Sequence, residues 1–374
     1  MPVYIAVLLS IVFGICIAIL AVQLVYLFIF FAAFLKEIRQ PVTNTPVGVS
    51  VIVCAHDEEE NLRALIPNLL SQNHPDYEVI IVDDRSNDGT YDLLLKLTSE
   101  NPKLRMVTVR ELPKHMTGKK FAITMGIKAA KHDWVLLTDA DCRPGPNWIS
   151  GMSRHFTDDK NIVLGFSPYE KHPGILNAFI RFESLLTAIQ YFSFATLGHP
   201  YMGVGRNLAY KRKLFLESKG FNDHLDIIGG DDDLFVNQHA KAATTAVASG
   251  ADVSVLSVPK TTWAGFFDQK LRHLSVGKRY KKSDRFLLGL FTITWILWPF
   301  TCLALPFAGM NSAIIGGLIV LRWITLGSLF TMAPRTLGEG FEAWKVPLLD
   351  FIYAFYYLVA GPIALVSKRV RWKI

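Results

Sequence analysis

Residues 78–90 read Glu-Val-Ile-Ile-Val-Asp-Asp-Arg-Ser-Asn-Asp-Gly-Thr. Four β-branched residues in a row predict a buried strand, and two acids follow it directly. Helix capping by Asp83 or Asp88 and a turn at Asp88-Gly89 explain part of the pattern. They do not explain two consecutive acids after a buried strand, because buried carboxylates need a partner. The stretch therefore predicts a strand whose end binds a ligand.

Similar apolar runs lie on both sides of this stretch, and helical segments separate them. Further strands are predicted at 49–53, 104–109 and 134–138, with helices near 60–72, 91–100 and 120–131. This alternation is typical of an α/β fold, with a largely parallel sheet covered by helices on both faces. Ligands bind such sheets at the carboxyl ends of the strands.

Acidic residues also follow the other predicted strands. Glu58 comes just after the first strand, and Asp139-Ala140-Asp141 ends the fourth. A D-x-D at a strand end projects two carboxylates to one side, where they suit a hard cation bound to a diphosphate. The pattern predicts a site for Mg²⁺ or Mn²⁺ at Asp139 and Asp141, where the metal would neutralise a leaving nucleoside diphosphate.

Three adjacent acids, Asp231, Asp232 and Asp233, follow two glycines. Such a cluster is compatible with a solvated turn. It is equally compatible with a general base that takes a proton from an acceptor hydroxyl. The residues alone leave both interpretations open.

The apolar residues, 51% of the chain, collect near its two ends. Residues 3–35 are long enough to span a bilayer, and they lack the features of a cleaved signal peptide. Residues 286–310 and 311–332 predict two further spans. Residues 346–366 contain Asp350 and Gly361-Pro362, so this segment either crosses the membrane or is re-entrant or interfacial.

Basic residues such as Lys36 and Arg285 border the middle region, which the positive-inside rule places in the cytoplasm. If all three C-terminal segments cross, however, the basic tail at 368–373 ends outside, against the same rule. The net charge of +7 is better matched to anionic lipid than to nucleic acid, since the basic residues lie beside the apolar segments. The four cysteines show no C-x-x-C spacing, so neither zinc nor a disulfide is predicted.

These elements, in this order, resemble the membrane-bound family 2 glycosyltransferases with the GT-A fold, both ceramide glucosyltransferase-like and polysaccharide synthase-like. The resemblance covers residues 49–282. It is carried by Val-Ser-Val-Ile-Val with His-Asp-Glu-Glu-Glu-Asn-Leu, by Val-Asp-Asp-Arg-Ser-Asn-Asp-Gly-Thr, by Gly118-Lys119 and by Thr-Asp-Ala-Asp. It implies a nucleotide-sugar donor, with a UDP-sugar expected, and a divalent metal.

On the donor side, the resemblance implies that Glu58 and Asp84 contact the nucleoside, with Asp83 supporting them. Lys119 would lie near the nucleotide. Asp139 would handle the diphosphate as well as the metal.

For catalysis, the family's base lies in a Glu-Asp-x-Asp-Leu-like segment, which aligns with Gly230-Asp231-Asp232-Asp233-Leu234. The resemblance therefore makes Asp231 the first candidate base of an inverting transfer and Asp232 the second. The usual glutamate is replaced by Gly230.

On the diphosphate and acceptor side, membrane synthases of this kind carry Q/R-x-x-R-W, but residues 269–273 read Gln-Lys-Leu-Arg-His. The resemblance assigns Gln269, Arg272 and His273 to this side, together with Arg206. Because the tryptophan that seats a polymer is replaced by His273, we expect a membrane lipid or polyprenyl acceptor. A polysaccharide-building enzyme is the alternative.

Three apolar features bear on the membrane. The segment at 259–285 also fits an amphipathic surface helix with Trp263, Phe266 and Phe267 in lipid. Residues 175–197 form either a core helix or a membrane-facing helix that admits a lipid. Arg322 either snorkels or contacts a lipid phosphate.

The expected organisation is an anchor at 1–36, a GT-A domain at 47–258, an interfacial helix at 259–285 and membrane segments at 286–374. The expected location is a bacterial inner membrane, with the catalytic domain in the cytoplasm. A non-catalytic membrane scaffold is a remote alternative, because Asp139, Asp141 and the Asp231 cluster are all present.

Overall fold

A computed structural model describes residues 3–37, 46–114, 116–225, 227–307 and 309–366. Arg39 and the basic tail at 368–373 lie outside these ranges. The strands are β1 (Val49–Ala55), β2 (Tyr77–Asp84), β3 (Leu104–Val109), β4 (Trp134–Asp139), β5 (Cys142–Pro144), β6 (Ile162–Leu164), β7 (Leu208–Lys211), β8 (Thr245–Val247) and β9 (Val255–Ser257).

The α-helices follow the same chain order. They are α1 (Val3–Glu37), α2 (Glu59–Leu70), α3 (Thr90–Glu100), α4 (Gly118–Ala129), α5 (Trp148–Ser153), α6 (Ile175–Thr196), α7 (Arg212–Glu217), α8 (Asp233–His239), α9 (Trp263–Gly277), α10 (Lys282–Ala304), α11 (Ser312–Leu337) and α12 (Val346–Val366).

Seven strands form the main sheet, in the order β3-β2-β1-β4-β7-β6-β8. The four strands that the sequence predicts, β1 to β4, are mutually parallel. Strand β7 runs antiparallel to β4 and to β6, while β8 runs parallel to β6. A separate pair is made by β5 and β9, which run antiparallel. The predicted α/β class is confirmed, with a mixed sheet.

The sheet is covered on both faces, because strands such as β1 carry buried apolar side chains on each face. In β1, Ile52 joins the core cluster of Ile123 and Ile127 from α4, while Val51 joins that of Leu65 from α2. Alternate residues of a strand point to opposite faces, so both faces need helices. Each fully buried side chain of this kind contributes about 1.5–3 kcal/mol.

Within the described ranges, four helices are long and apolar enough to cross a membrane, over Ser10–Lys36, Lys282–Ala304, Ser312–Leu337 and Ala343–Ala364. Helix α12 continues through Pro362, so its described residues contain no re-entrant break. Inside the bundle, Arg322 of α11 is fully buried and pairs with Asp350 of α12. The guanidinium also lies 4.7 Å from the ring of Trp295. The expectations that Arg322 snorkels or contacts a lipid phosphate are therefore wrong, because its charge is paired inside the protein.

Helix α6 joins the sheet domain to these apolar helices. Phe194 meets Phe30 of α1 edge to face, and Phe182 stacks on Phe330 of α11 at 4.6 Å. Most of the helix is buried. Of the two interpretations of residues 175–197, the structure agrees with a core helix.

Helix α9 packs on α6 and α12 and ends shortly before α10. Phe266 is fully buried, packed edge to face on Phe179 of α6 and against Tyr356 of α12. The expectation that Phe266 dips into lipid is therefore wrong, because α6 and α12 cover this face of α9. Trp263 stays 44% exposed.

Candidate active site

The parallel strands bring the acidic motifs together at one edge of the sheet. Ala55 of β1 is in register with Asp83 of β2, and Cys54 with Asp139 of β4. All three strands end at this level, so the loops after them open on the same cleft. Convergence of these motifs follows from the parallel pairing, as expected for an α/β sheet.

Lys119 is the cation at the centre of the cleft. Helix α4 begins at Gly118, so Lys119 occupies its first turn. Its Nζ lies 2.9 Å from Oδ1 of Asp139 and 3.3 Å from Oδ2 of Asp231. Desolvation opposes the charge, but the carboxylates of Asp139, Asp231 and Asp232 together raise the pKa of Lys119 well above its usual value. One ammonium group thus joins the D-x-D motif to the second acidic cluster.

The three consecutive acids have different surroundings. Asp231 is 6% exposed and faces Lys119. Asp232 accepts hydrogen bonds from the backbone N–H of Gly205 at 2.7 Å and from that of Asp233 at 2.8 Å, and it caps α8. Asp233 accepts from the N–H of Leu234 and, at 2.7 Å, from the hydroxyl of Tyr280.

Burial and then the neighbouring carboxylate raise the pKa values of Asp232 and Asp233 above the usual range. For Asp232 that neighbour is Asp231, and for Asp233 it is Asp232. Two of the three acids are therefore engaged by the protein's own donors. Asp231 is the one that lies against the central lysine.

The two acids of the D-x-D motif also differ. Asp139 is paired with Lys119, which lowers its pKa in spite of burial. The Cys142 thiol lies 3.8 Å from Oδ1 of Asp141. Burial and the Asp139 carboxylate raise the pKa of Asp141. A cation beside Asp141 would relieve this repulsion.

No group of three or more His, Cys, Asp or Glu side chains in the described ranges is arranged to hold a metal ion. A hard cation bound to a diphosphate needs only one or two carboxylates, since phosphate oxygens and water supply its other ligands. Asp141 and Asp139 fit a metal of that kind.

On the nucleoside side, the acids are less isolated than their sequence suggests. Arg85, at φ +58°, donates to both oxygens of Asp84, at 2.8 and 3.2 Å. The inference that consecutive acids here lack a protein partner is thus wrong for Asp84. Asp83 accepts from the backbone N–H of Ser86 at 3.3 Å. Glu58 accepts from the amide of Asn61 at 2.6 Å.

Positive side chains form the opposite wall. The guanidinium of Arg206 lies over the ring of Tyr169, 4.3 Å from its centroid. The charge of Arg272, in α9, interacts electrostatically with the carboxylates of Asp139 and Asp231. His273 of α9 is exposed, and surrounding protein atoms and then Lys270 and Arg272 lower its pKa well below the usual value. It is therefore neutral at physiological pH. Gln269, one turn before His273, is half-buried.

Sequence reasoning missed two cations that border the site. Lys260 acts electrostatically on Glu58 and Asp141, and Arg143 donates to Asn61 at 3.1 Å. Lys260 follows β9, which reaches the cleft by pairing with β5 directly after the D-x-D. The signal for that pairing is a three-residue strand, too short to recognise from periodicity.

Comparison with known families agrees with this geometry. The family described as "Glycosyl transferase family 2" matches residues 50–217, and "Glycosyl transferase family group 2" matches residues 134–359, more than half of the chain. This chain belongs to the family 2 glycosyltransferases. The expected family and enzyme class are thereby confirmed.

Relatives of this glycosyltransferase include the poly-β-1,6-N-acetyl-D-glucosamine synthase of Staphylococcus aureus (strain COL), 28% identical over 173 residues. The match covers 44% of this chain and 38% of that one. The synthase of Staphylococcus epidermidis is 30% identical over 162 residues, covering 39% and 38%. The matched region thus spans well under half the length of these curated relatives.

Among solved structures, the mannosyltransferase PcManGT from Pyrobaculum calidifontis, in complex with GDP-Man and Mn²⁺, aligns with a TM-score of 0.61 at 18% identity. The alignment covers 98% of this glycosyltransferase and 99% of that chain. The similarity therefore confirms the expected fold, the GT-A domain together with the apolar helices around it.

Proposed function

We propose that this chain is a membrane-embedded inverting glycosyltransferase that moves a sugar from a nucleotide-sugar to a membrane lipid or polyprenyl acceptor. The observation that carries the proposal is the position of Lys119 between Asp139 and Asp231. It places the acids suited to a metal-bound diphosphate and the candidate base in a single cleft. A donor and an acceptor bound there would meet between them.

The donor would bind with its nucleoside against Glu58, Asp83 and Asp84 and its diphosphate near Lys119 and Arg272. A divalent cation held by Asp141 and Asp139, when bound, would neutralise diphosphate charge. The solved relative PcManGT was crystallised with GDP-Man and Mn²⁺, which supports a nucleotide-sugar and a divalent metal here. The ammonium of Lys119 pairs with two carboxylates in the structure, and it would pair with the more highly charged diphosphate when a donor is bound.

Asp231 is the proposed general base. Its carboxylate would take the proton of the acceptor hydroxyl as that oxygen bonds to the anomeric carbon and the bond to the diphosphate breaks. Asp232 is the weaker candidate, because Gly205 and Asp233 already donate to its two oxygens. Arg206, Arg272, Gln269 and neutral His273 would line the diphosphate and acceptor side.

Two observations support a lipid acceptor. The family's polymer-seating tryptophan is replaced by His273, and α9 packs directly on the apolar helix α12 through Phe266 and Tyr356. A polysaccharide-building enzyme is the second candidate, since the curated relatives that match this chain are poly-N-acetylglucosamine synthases. We also propose that the four apolar helices span a bacterial inner membrane, with the sheet domain in the cytoplasm.

The test uses the detergent-purified full chain with UDP- and GDP-sugars, with and without membrane lipid extract, in Mn²⁺ or excess EDTA. The proposal expects nucleoside diphosphate release that depends on metal and lipid, with one sugar added per lipid. A ladder of longer products would favour the polysaccharide alternative. Absence of release with every donor would contradict the proposed function. Full activity in EDTA would contradict the proposed metal.

A further inference from the structure

Helix α9 presents two faces with different environments. Residues four apart share one face of a helix, and residues two apart lie on nearly opposite faces. Accordingly, Phe266 and Lys270 point into the protein, at 0% and 9% exposure, while Arg272, two residues after Lys270, lies on the other side of the helix, where its charge interacts with Asp231 and Asp139. His273 follows Arg272 and lies between these two faces. The rotation of α9 about its axis therefore decides where the cleft-facing side chains lie.

A charged contact lies on the buried face of α9. The ammonium of Lys270 lies 2.5 Å from Oε2 of Glu183, a residue of α6 that is 2% exposed. The other oxygen, Oε1, accepts a hydrogen bond from the hydroxyl of Tyr357 in α12 at 2.9 Å. One buried carboxylate thus contacts the helix over the cleft and an apolar helix at the same time.

This arrangement is directional in a way that apolar packing is not. A buried ion pair adds little stability compared with well-packed apolar side chains, but separating its partners leaves an uncompensated buried charge, which is strongly destabilising. The neighbouring contacts of α9 with α6 and α12 are rings, namely Phe266 on Phe179 and on Tyr356. Rings slide over one another more easily than a buried charge leaves its partner.

We propose that Glu183 and Lys270 are positioning residues, whose buried ion pair sets the rotation of α9 and so places Arg272 and His273 over the cleft. Through the Tyr357 hydroxyl, the same carboxylate makes that placement depend on how α12 sits in its bundle. The inference rests on the proposed function for its catalytic consequence, but not for its structural one.

The test compares Lys270→Met with Arg181→Met in the full chain. Arg181 is a matched control, because it is also a buried cation of α6, and it pairs with Glu339 and Glu342, which lie between α11 and α12 rather than on α9. Hydrogen–deuterium exchange across α9 and β1 gives a readout that needs no activity. The inference expects faster exchange in α9 for Lys270→Met alone, with β1 unchanged in both variants.

Turnover supplies the second readout. Misplaced side chains at a reacting centre cost up to about a hundredfold, so kcat should fall about ten- to a hundredfold in Lys270→Met and in Glu183→Gln. The reversed pair Glu183→Lys/Lys270→Glu should recover part of the loss. The KM for the donor should change less than kcat.

The outcomes separate this inference from the proposed function. If the wild-type chain releases no nucleoside diphosphate, the function fails, and exchange in α9 still decides the inference. The inference is overturned if α9 exchanges equally fast in wild type and Lys270→Met. It is also overturned if Arg181→Met loosens α9 as much as Lys270→Met does.

Discussion

Asp232 accepts a hydrogen bond from the backbone N–H of Gly205 at 2.7 Å, which fastens the start of α8 to the segment before β7. The carboxylate of its neighbour Asp231 lies instead 3.3 Å from the ammonium of Lys119. Adjacent acids of one motif thus have separable roles, one in holding the backbone and one in facing the cleft.

Replacing these two acids should therefore give opposite results. Asp231→Asn should lower turnover about 10²–10⁴-fold, the usual effect of losing a general base, with little change in thermal stability. Asp232→Asn should keep most turnover but lower the free energy of unfolding by about 1 kcal/mol, since one backbone donor loses its carboxylate. Nucleoside diphosphate release and thermal unfolding in detergent measure the two effects. The reverse pattern would transfer the role of base to Asp232.

The consecutive lysines 119 and 120 offer a second matched pair. Lys119 faces Asp139 and Asp231, whereas Lys120 is 1% exposed and donates to the backbone carbonyls of His224 and Ile227. Lys119→Met should abolish most activity and leave a stably folded protein. Lys120→Met should unfold at lower temperature, because two buried carbonyls lose their charged donor. Equal loss of stability in both variants would argue against a substrate-facing Lys119.

As the pH is lowered, nucleotide binding should begin to weaken at a higher pH than it would if Glu58 had the usual pKa of a glutamate. Burial and then the carboxylates of Asp141 and Asp139 raise the pKa of Glu58, although Asn61 donates to it. If ionised Glu58 accepts a hydrogen bond from the nucleoside, affinity is present above the raised pKa and is lost as pH falls through it. Because the pKa of Glu58 is raised in the folded state, the free energy of unfolding decreases as the pH rises and Glu58 ionises.

Calorimetric titration with UDP and Mn²⁺, from about pH 7.5 down to about pH 5, measures this loss. The control is Glu58→Gln, whose affinity should be lower at neutral pH and should lack the part of the pH dependence that Glu58 causes. Identical pH profiles for the two proteins would remove Glu58 from the nucleotide site.

Replacing one residue of the buried Arg322–Asp350 pair should lower the free energy of unfolding much more than replacing both. Arg322→Leu or Asp350→Leu alone leaves a buried charge without its partner, so each should lower the free energy of unfolding by about 3–5 kcal/mol. The double variant should recover most of that loss. Thermal unfolding in detergent is the measurement, with Lys213→Met as a control, since Lys213 pairs with Glu217 at an exposed site. Strict additivity of the two single changes would mean that the charges do not interact.

Much of this architecture follows from local sequence. Four short apolar strands separated by helical segments predict a largely parallel sheet covered on both faces, because this alternation is typical of α/β proteins. The acids that end β1, β2 and β4 must then meet at one edge. Long apolar segments likewise identify the four helices suited to a membrane. These features depend on period, length and residue type, all of which a sequence displays directly.

Other features exist only because distant segments meet. The different surroundings of Asp231, Asp232 and Asp233 depend on hydrogen bonds from Gly205 and Tyr280. The position of Lys260 beside the site depends on the pairing of β9 with β5. Phe266 was expected in lipid and is buried instead, because α6 and α12 cover it. A side chain's type shows that it needs a partner. Which partner it receives is decided by packing between elements far apart in the chain, and no local pattern encodes that choice.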